Sequence, residues 1–301
     1  MPRQPNLFIV GAPKCGTTSL ARWLGSHPDV FLPSVKEPHH YNTDEAHVNY
    51  ASREDYLELY ASGQDHRYRL DASVWYLHSK EAVHGILNDC PEAKLIVCLR
   101  NPVDMAFSLH GQFLYKTGRE TVTGFRKAWD LSDERLNGRK LSSLASEHRH
   151  LAYKYSCRIG TQAERLVNIA GSSKVKLVVL DDLIQYPDKT LSSILKFLDL
   201  SVSVPLYLPH DNPRLEMKVP ALRRILVRGA KFKKMIGIDV GFGIGKRAIR
   251  WIGYEGDNSK INEYDRVIVT RYFINEIKKI WELTGFRYEK WIFCLDHKDG
   301  L

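Results

Sequence analysis

A glycine-rich loop near the amino terminus restricts the possible folds of this chain more than any other part of its sequence. The loop, Gly11–Ser19, follows a short apolar strand candidate, Asn6–Val10, and leads into a helix predicted over Thr17–Leu24. A turn of this kind lets backbone N–H groups converge on an anion at the helix N-terminus. We therefore expect a strand–loop–helix unit that binds a phosphate group.

The spacing within this loop distinguishes it from the loops that bind nucleoside triphosphates. Gly11 and Gly16 are separated by four residues, as in a P-loop, but Thr17 follows directly where a P-loop places a lysine. The lysine of this loop is Lys14, which lies inside it. Three hydroxyl side chains add hydrogen-bond donors: Thr17, Thr18 and Ser19. This pattern predicts a phosphate cradle without the arrangement that holds Mg²⁺ and a γ-phosphate.

Further apolar runs alternate with helical patterns along the chain. Strands are predicted at Tyr68–Asp71, Lys94–Leu99 and Lys174–Leu180. Helices are predicted at Ser79–Leu87, Pro102–Tyr115, Arg158–Ala170 and Asp188–Leu198. Strands that are apolar throughout are typical of a parallel sheet with helices on both faces. The sequence therefore predicts an α/β fold, a single P-loop-like domain over 1–301 with its ligand at the carboxyl ends of the strands.

Positive charge is concentrated late in the chain. The 44 Lys and Arg residues exceed the 35 Asp and Glu residues, which gives a net charge of +9. Such a surface suits nucleic acid, an anionic membrane or an anionic substrate. The segment 220–250 is basic and rich in glycine, so we predict a helical and loop insertion at about 220–255, followed by a packing helix at about 265–284. No helix-turn-helix pattern accompanies this charge, so nothing favours nucleic acid as the partner.

The five cysteines form no CxxC pair, which argues against a zinc site or a thioredoxin-like motif. Free thiols in a reducing compartment are expected. One of them, Cys15, stands beside Lys14 at the predicted helix N-terminus. This position predicts a lowered pKa and an oxidisable thiol.

A second set of anion-binding residues follows the strand Lys94–Leu99. Arg100 comes directly after this strand, where a guanidinium offers a forked donor to a phosphate. Ser108 lies about two helical turns further on, so it reaches the same ligand only if the helix begins at the site. Whether the two residues share one ligand therefore depends on where this helix begins.

The loop and the arginine–serine pair resemble the sulfotransferases that use 3′-phosphoadenosine 5′-phosphosulfate (PAPS), and the likeness covers nearly the whole chain. In that family the loop holds the phosphosulfate without a required metal, and the arginine and serine hold the 3′-phosphate. A basic loop folds over the nucleotide, which here corresponds to the region of Arg214 and Lys218. The cofactor contacts implied are Lys14, Cys15, Gly16, Thr17, Thr18, Ser19, Arg100, Ser108, Arg214 and Lys218.

The segment Lys36–Tyr41 resembles a stretch of the carbohydrate sulfotransferases that act on heparan sulfate. Its glutamate is the proposed general base there, and a desolvated carboxylate can take the proton of an attacking hydroxyl. The resemblance implies that Glu37 is the base, while His39 and His40 bind the acceptor or serve as the base instead.

Two later segments also resemble the family. Asp71 and Ser73 stand where contacts with the acceptor or the sulfonate are implied, but Ala72 replaces a frequent lysine, which leaves its role to Lys14. The stretch around Asp181 and Asp182 is mainly architectural in the family, although two adjacent acids could also act as Walker B residues.

The resemblance implies in-line transfer of a sulfonyl group from PAPS to an acceptor hydroxyl, with Lys14 stabilising the leaving phosphate. The acceptor implied is a glycan or a glycolipid, while a lipid, a small metabolite and a protein tyrosine stay open as alternatives. The segment 220–250 could contact an anionic membrane. Golgi members of the family carry an amino-terminal membrane anchor that this sequence lacks, so we expect a cytoplasmic enzyme.

Two other functions remain open at this point. The protein could be a P-loop kinase, which would bind ATP with Mg²⁺. The absence of a lysine directly before Thr17 argues against this function. A protein without catalytic activity could instead bind a polyanion or a membrane through its basic segment, with salt-sensitive affinity.

Overall fold

A computed structural model describes residues 4–46, 48–207, 215–217, 253–255 and 261–296. Most of the predicted basic insertion at 220–255, together with Arg214 and Lys218, lies outside the described residues. Two compact units emerge, the first drawn from 1–105, 158–211 and 269–301 and the second from 106–157 and 212–268. That 1–301 forms a single domain stays a prediction.

The first unit is built on a five-stranded parallel sheet with the strand order β2-β3-β1-β4-β5. Its strands are β1 (Leu7–Gly11), β2 (Val30–Phe31), β3 (Tyr68–Asp71), β4 (Lys94–Leu99) and β5 (Val175–Val179). This sheet confirms the predicted α/β fold.

The position of each strand in the sheet explains how well it was predicted. The central strands β1 and β4 are apolar and almost entirely buried, as their sequences indicate. Strand β5 lies at the sheet edge, and Val175–Leu177 are only half-buried, so the expectation of full burial was wrong there. Strand β2 has two residues, which is too short for any periodicity to reveal.

Twelve α-helices occur in the described part of the chain. They are α1 (Thr17–Leu24), α2 (Arg53–Glu58), α3 (Ala82–Asp89), α4 (Pro102–Gly111), α5 (Phe125–Asp130), α6 (Ser132–Leu136), α7 (Tyr153–Ser156), α8 (Ile159–Ala170), α9 (Leu180–Gln185), α10 (Pro187–Phe197), α11 (Glu263–Thr284) and α12 (Phe293–Asp296). A π-helical segment, Gln112–Thr117, continues α4. No helix among these described residues is both long and apolar enough to cross a membrane.

The sheet topology brings two loops together at the carboxyl ends of its central strands. The chain leaves β1 towards β2 on one side, whereas it leaves β4 towards β5 on the other. Loops that diverge in this way open a crevice where α/β proteins bind ligands. The Ala12 N–H donates to the Cys98 carbonyl oxygen at 2.8 Å, which aligns the start of the glycine-rich loop with the end of β4.

The second unit has its own buried polar centre. The Arg135 guanidinium forms an ion pair with Glu120, with 2.6 Å between Nη1 and Oε2, and the Tyr153 hydroxyl donates to the same oxygen at 2.9 Å. Burial alone would raise the pKa of Glu120, but Arg135 outweighs it and holds that pKa below its usual value. Strands β6 (Leu215–Met217) and β7 (Gly253–Glu255) pair antiparallel in this unit.

Helix α11 (Glu263–Thr284) lies where a packing helix is predicted at about 265–284. Three of its apolar residues are fully buried: Phe273, Ile277 and Ile280. A side chain at Gly160 in α8 would lie 2.4 Å from the Glu276 carbonyl oxygen, so the glycine permits close approach of α8 and α11. The helix ends at Thr284, and the next residue, Gly285, has a φ of 72°, which glycine adopts readily.

The two acids at the start of α9 bind residues near the carboxyl terminus. The Trp291 indole N–H donates to Asp181 at 2.9 Å, and the Tyr288 hydroxyl donates to Asp182 at 2.6 Å. Lys290 also pairs with Asp181 at 2.7 Å. These contacts confirm the architectural interpretation, and they do not support Walker B acids.

Candidate functional site

Two glycines give the loop after β1 its shape. Gly16, with φ at 84°, is the residue before α1, and it caps the helix without any side-chain hydrogen bond. A Cβ atom at Gly11 would lie 2.6 Å from the Val74 carbonyl oxygen, and its φ of 148° also favours glycine. The first turn of α1 contains no acidic residue. Its amide groups and the helix dipole therefore favour an anion at this end.

Arg100 lies against this loop. A single ligand can contact the glycine-rich loop and the segment after β4 only if the two are close, as they are here. Its Nη1 donates to the backbone carbonyl of Lys14 across 3.2 Å. A guanidinium has five N–H donors, so this bond leaves others for a ligand. Asn101 accepts a hydrogen bond from the Val103 N–H at 3.0 Å and thereby caps α4 directly after Arg100. The end of β4 thus supplies both a cation and a helix start.

Cys15 differs from its prediction. Its side chain is 1% exposed, and the Sγ atom donates to the Pro13 carbonyl oxygen at 3.5 Å. Burial raises the pKa of Cys15 to about 12, although Arg100 and Lys14 act in the opposite direction. The expected lowered pKa was therefore wrong, because desolvation outweighs both cations. Contact of Cys15 with a ligand stays a prediction, and such a contact falls to its backbone because the thiol is buried.

Ser108 is half-buried in α4. Its contact with the ligand of Arg100 stays a prediction. The other late contacts that the sequence implies, Arg214 and Lys218, lie outside the described residues.

A cavity of about 160 Å³ adjoins the first turn of α1. Its polar wall includes Thr18 from α1, Lys36 and Glu37 from the loop after β2, and Asp71 from the end of β3. Apolar side chains complete the wall, among them Ala21, Leu32, Val35, Tyr60 and Ala72. Within the described residues, neither His39 nor His40 lines this cavity. The structure thus brings the predicted base beside the first turn of α1, the helix predicted to bind a phosphate.

Each oxygen of the Glu37 carboxylate has one basic side chain beside it. Lys36 Nζ lies 3.1 Å from Oε1, and His39 Nε2 lies 3.5 Å from Oε2. Burial alone would raise the pKa of Glu37, but His39 and Lys36 outweigh it and lower this pKa to about 2. Glu37 is therefore ionised, as a general base must be, and is a weak base while both partners remain in place.

The backbone around Glu37 adopts conformations that side chains rarely favour. Glu37 has φ at 57° and His39 has φ at 50°. Hydrogen bonds hold this geometry: Asn49 donates to the Glu37 carbonyl at 2.9 Å, and the His39 N–H donates to Ser73 Oγ at 3.0 Å. Strained residues supported in this way are common at functional sites.

Asp71 supports the loop that carries Glu37 through a chain of hydrogen bonds. It is fully buried and accepts hydrogen bonds from Ser73, Tyr56 and Tyr76 at 2.7, 2.7 and 2.9 Å. Burial raises the pKa of Asp71, and these three hydroxyl bonds partly oppose the rise. Ser73 and Tyr76 in turn accept the backbone N–H groups of His39 and His40. Asp71 and Ser73 therefore position the loop, and direct contact with an acceptor stays a prediction.

His40 is engaged on two sides. Its Nδ1 lies 2.7 Å from the Tyr50 carbonyl oxygen, and its ring stacks on Tyr56 at 4.2 Å between centroids. These contacts make His40 part of the aromatic support of the loop. Sequence reasoning missed Tyr56, which no local pattern links to the site, and assigned no role to Lys36.

A parallel sheet, a glycine-rich loop after β1 and an arginine after β4 define a P-loop-like α/β protein, in which anion binding by this loop and this arginine stays a prediction. The sequence profile described as the sulfotransferase family matches residues 5–203. The chain belongs to this family.

Curated relatives are similar over parts of the chain. The bifunctional heparan sulfate N-deacetylase/N-sulfotransferase 1 of Caenorhabditis briggsae is 26% identical over 205 residues, which are 65% of this chain and 23% of that protein. The human heparan sulfate glucosamine 3-O-sulfotransferase 6 is 35% identical over 115 residues, 38% of this chain and 32% of that protein. The chain spans about a quarter to a third of the length of these relatives.

A solved sulfotransferase from Alicyclobacillus acidocaldarius has the same fold. Its TM-score is 0.69 at 22% sequence identity, and the match covers 96% of this chain and 99% of that one.

Proposed function

We propose that this protein transfers a sulfonyl group from PAPS to a hydroxyl group of a carbohydrate or glycolipid acceptor. The observation that carries the proposal is the shared cavity of Thr18 and Glu37, because it joins the first turn of α1, where we expect a phosphate, to a half-buried carboxylate. Family membership supports the type of reaction. Two relatives named for heparan sulfate support a carbohydrate acceptor. The one named as a 3-O-sulfotransferase supports a hydroxyl group as the atom that accepts the sulfonyl group.

The residues at the crevice fit a donor with two separate phosphate groups. The uncapped first turn of α1, with Lys14 and the hydroxyls of Thr17, Thr18 and Ser19, suits the phosphosulfate end. Arg100 suits the 3′-phosphate, and Ser108, Arg214 and Lys218 are the further contacts that we expect. No metal is needed in this scheme, because the loop and its cations balance the anionic charge.

Each step of the transfer has a residue to support it. Glu37 takes the proton of the acceptor hydroxyl as its oxygen forms a bond to sulfur, with His40 as the reserve candidate for this role. The bond between sulfur and the bridging oxygen breaks, and its electron pair stays on the leaving phosphate. Lys14 and the first-turn amides of α1 stabilise that negative charge, as preorganised donors do in other transfer reactions.

Several parts of the proposal concern segments beyond this cavity. The basic segment 220–250 is a candidate contact for an acidic glycan or an anionic membrane, and it lies outside the described residues. A cytoplasmic location also stays a prediction.

Calorimetric titration with 3′-phosphoadenosine 5′-phosphate (PAP), without metal, tests the donor site. Binding at micromolar or lower concentration, with ADP bound much more weakly, is the expected result. Preference for ATP with Mg²⁺ would instead indicate a kinase, and no nucleotide binding would leave the polyanion-binding alternative. The acceptor is then sought by transfer of radiolabelled sulfonate from PAPS to desulfated glycans and glycolipids.

A further inference from the structure

Lys36 contacts two other polar residues that line the cavity, Thr18 from α1 and Glu37 from the loop after β2. Its Nζ donates to Thr18 Oγ1 at 2.6 Å and lies 3.1 Å from Glu37 Oε1. The side chain is about half exposed, at 49%, so its ammonium group is able to change partners. An ammonium has three N–H donors, and these two contacts leave one for a ligand in the cavity.

The contact with Thr18 places this charge next to the anion-binding end of α1. Thr18 is the second residue of that helix, where backbone N–H groups have no partner within the helix. Elsewhere in the cavity wall, Ala72 carries no charge and Asp71 is engaged by three hydroxyl groups. Lys36 is therefore placed to meet negative charge that enters between Thr18 and Glu37.

We propose that Lys36 binds the sulfonate end of the donor and that, in doing so, it leaves Glu37. This inference rests on the proposed function and adds a catalytic residue to it. An anionic donor competes with Glu37 for one ammonium group, and a doubly or triply charged ligand attracts it more strongly than a single carboxylate.

The exchange of partners links donor binding to activation of the base. Lys36 is one of the groups that lower the pKa of Glu37. Once Lys36 moves to the donor, that contribution is lost, and Glu37 becomes a stronger base. The acceptor proton then goes to Glu37, while Lys36 shares with Lys14 the charge that develops on the leaving phosphate. Deprotonation is thereby favoured only after the donor is in place.

Donor binding by four proteins tests this inference without an acceptor. The wild type, Lys36→Met, Glu37→Gln and the double variant are titrated with PAPS and with PAP. Methionine keeps the length of the lysine side chain and removes its charge. Arg22→Met is the matched control, because Arg22 also lines this cavity and is exposed.

Lys36→Met is expected to weaken PAPS binding by about 10- to 100-fold, as for loss of a charged hydrogen bond, and PAP binding by much less. Glu37→Gln is expected to tighten PAPS binding, because the competing carboxylate is gone. This increase in PAPS affinity should be smaller when Lys36 is already replaced by methionine. The difference between the two increases is the coupling that a double-mutant cycle measures. Arg22→Met should leave the ratio of the two affinities unchanged.

Three results would overturn the inference: equal losses for PAPS and PAP, equal effects of Lys36→Met and Arg22→Met, or no coupling in the cycle. Lys36→Gln serves as a second variant if Lys36→Met does not fold. If the wild type binds PAP normally and the variants give any of these results, the proposed function is retained and only the role of Lys36 is rejected. A wild type that binds neither nucleotide overturns both.

Discussion

The guanidinium of Arg100 donates a hydrogen bond to the backbone carbonyl of Lys14, with 3.2 Å between Nη1 and the oxygen. This bond ties the end of β4 to the middle of the loop that follows β1. The two residues are 86 positions apart, and the pairing of β1 with β4 makes the contact possible. Arg100 therefore supports the loop that leads into α1, where we predict that an anion binds.

Replacement of Arg100 by alanine should remove the preference for a 3′-phosphate. We expect PAP affinity to fall by about 10- to 100-fold, because a hydrogen-bonded charge contact is lost. Affinity for ADP, which has no 3′-phosphate, should fall much less, so the two affinities converge. Calorimetry with both nucleotides checks this, and parallel losses would mean that Arg100 acts only by supporting the loop.

Replacement of Lys14 by alanine should reduce the rate of transfer more than donor binding. Loss of one preorganised donor to developing charge lowers rates by about 10²–10³-fold. Alanine and lysine meet similar backbone strain at a φ of 66°, so the fold should be retained. The rate is measured as radiolabel transferred from PAPS, with a thermal melt as the control for folding. Transfer at the wild-type rate would remove Lys14 from the mechanism.

Replacement of Gly11 by alanine should destabilise the protein strongly. The new Cβ would lie 2.6 Å from the Val74 carbonyl oxygen, a backbone atom that cannot turn aside. Gly285→Ala is the matched control, because its φ is also positive, at 72°, while no atom lies within 4 Å of the added Cβ. The control should cost about 1–2 kcal/mol in free energy of unfolding. Gly11→Ala should cost clearly more by urea denaturation, and equal values would contradict the close approach.

Cys15 should resist alkylation at neutral pH. Burial keeps its thiol protonated, with a pKa of about 12, and the thiolate is the reactive form. Cys90 and Cys294 are half-buried and should be labelled by iodoacetamide first, as peptide mass spectrometry would detect. Rapid labelling of Cys15 in the folded protein, slowed by PAP, would instead favour the exposed reactive thiol that its sequence position predicts.

The pH dependence of transfer should identify the base. The pKa of Glu37 is lowered to about 2. In the free enzyme this carboxylate is therefore ionised at any higher pH, and it loses its negative charge only on strong acidification. We expect no acid-side loss of kcat/KM from this group between about pH 5 and 8, whereas a histidine base would cause a loss near its usual pKa of about 6.5. Glu37→Gln should lower kcat by about 10²–10⁴-fold. A histidine-like profile that persists in Glu37→Gln would transfer the role to His40.

Local patterns were sufficient for the central strands and for the loop. Strand β4 is apolar throughout because both of its faces are buried, and such a run is visible in any sequence. Gly11 and Gly16 mark the loop because its backbone requires positive φ at both. The two-residue strand β2 and the half-buried edge strand β5 differ because burial at a sheet edge depends on the neighbouring strands.

The sequence by itself determined the glycine-rich loop and the parallel α/β fold, while its resemblance to the family pointed to Glu37 as the candidate base. The loop and the fold depend on neighbouring residues, whose spacing dictates backbone geometry. Only the tertiary structure decided that Cys15 is buried, that Asp71 holds the Glu37 loop and that Lys36 joins Glu37 to Thr18. Burial and charge pairing arise between residues distant in sequence, because folding removes water and sets the distances on which electrostatic energies depend.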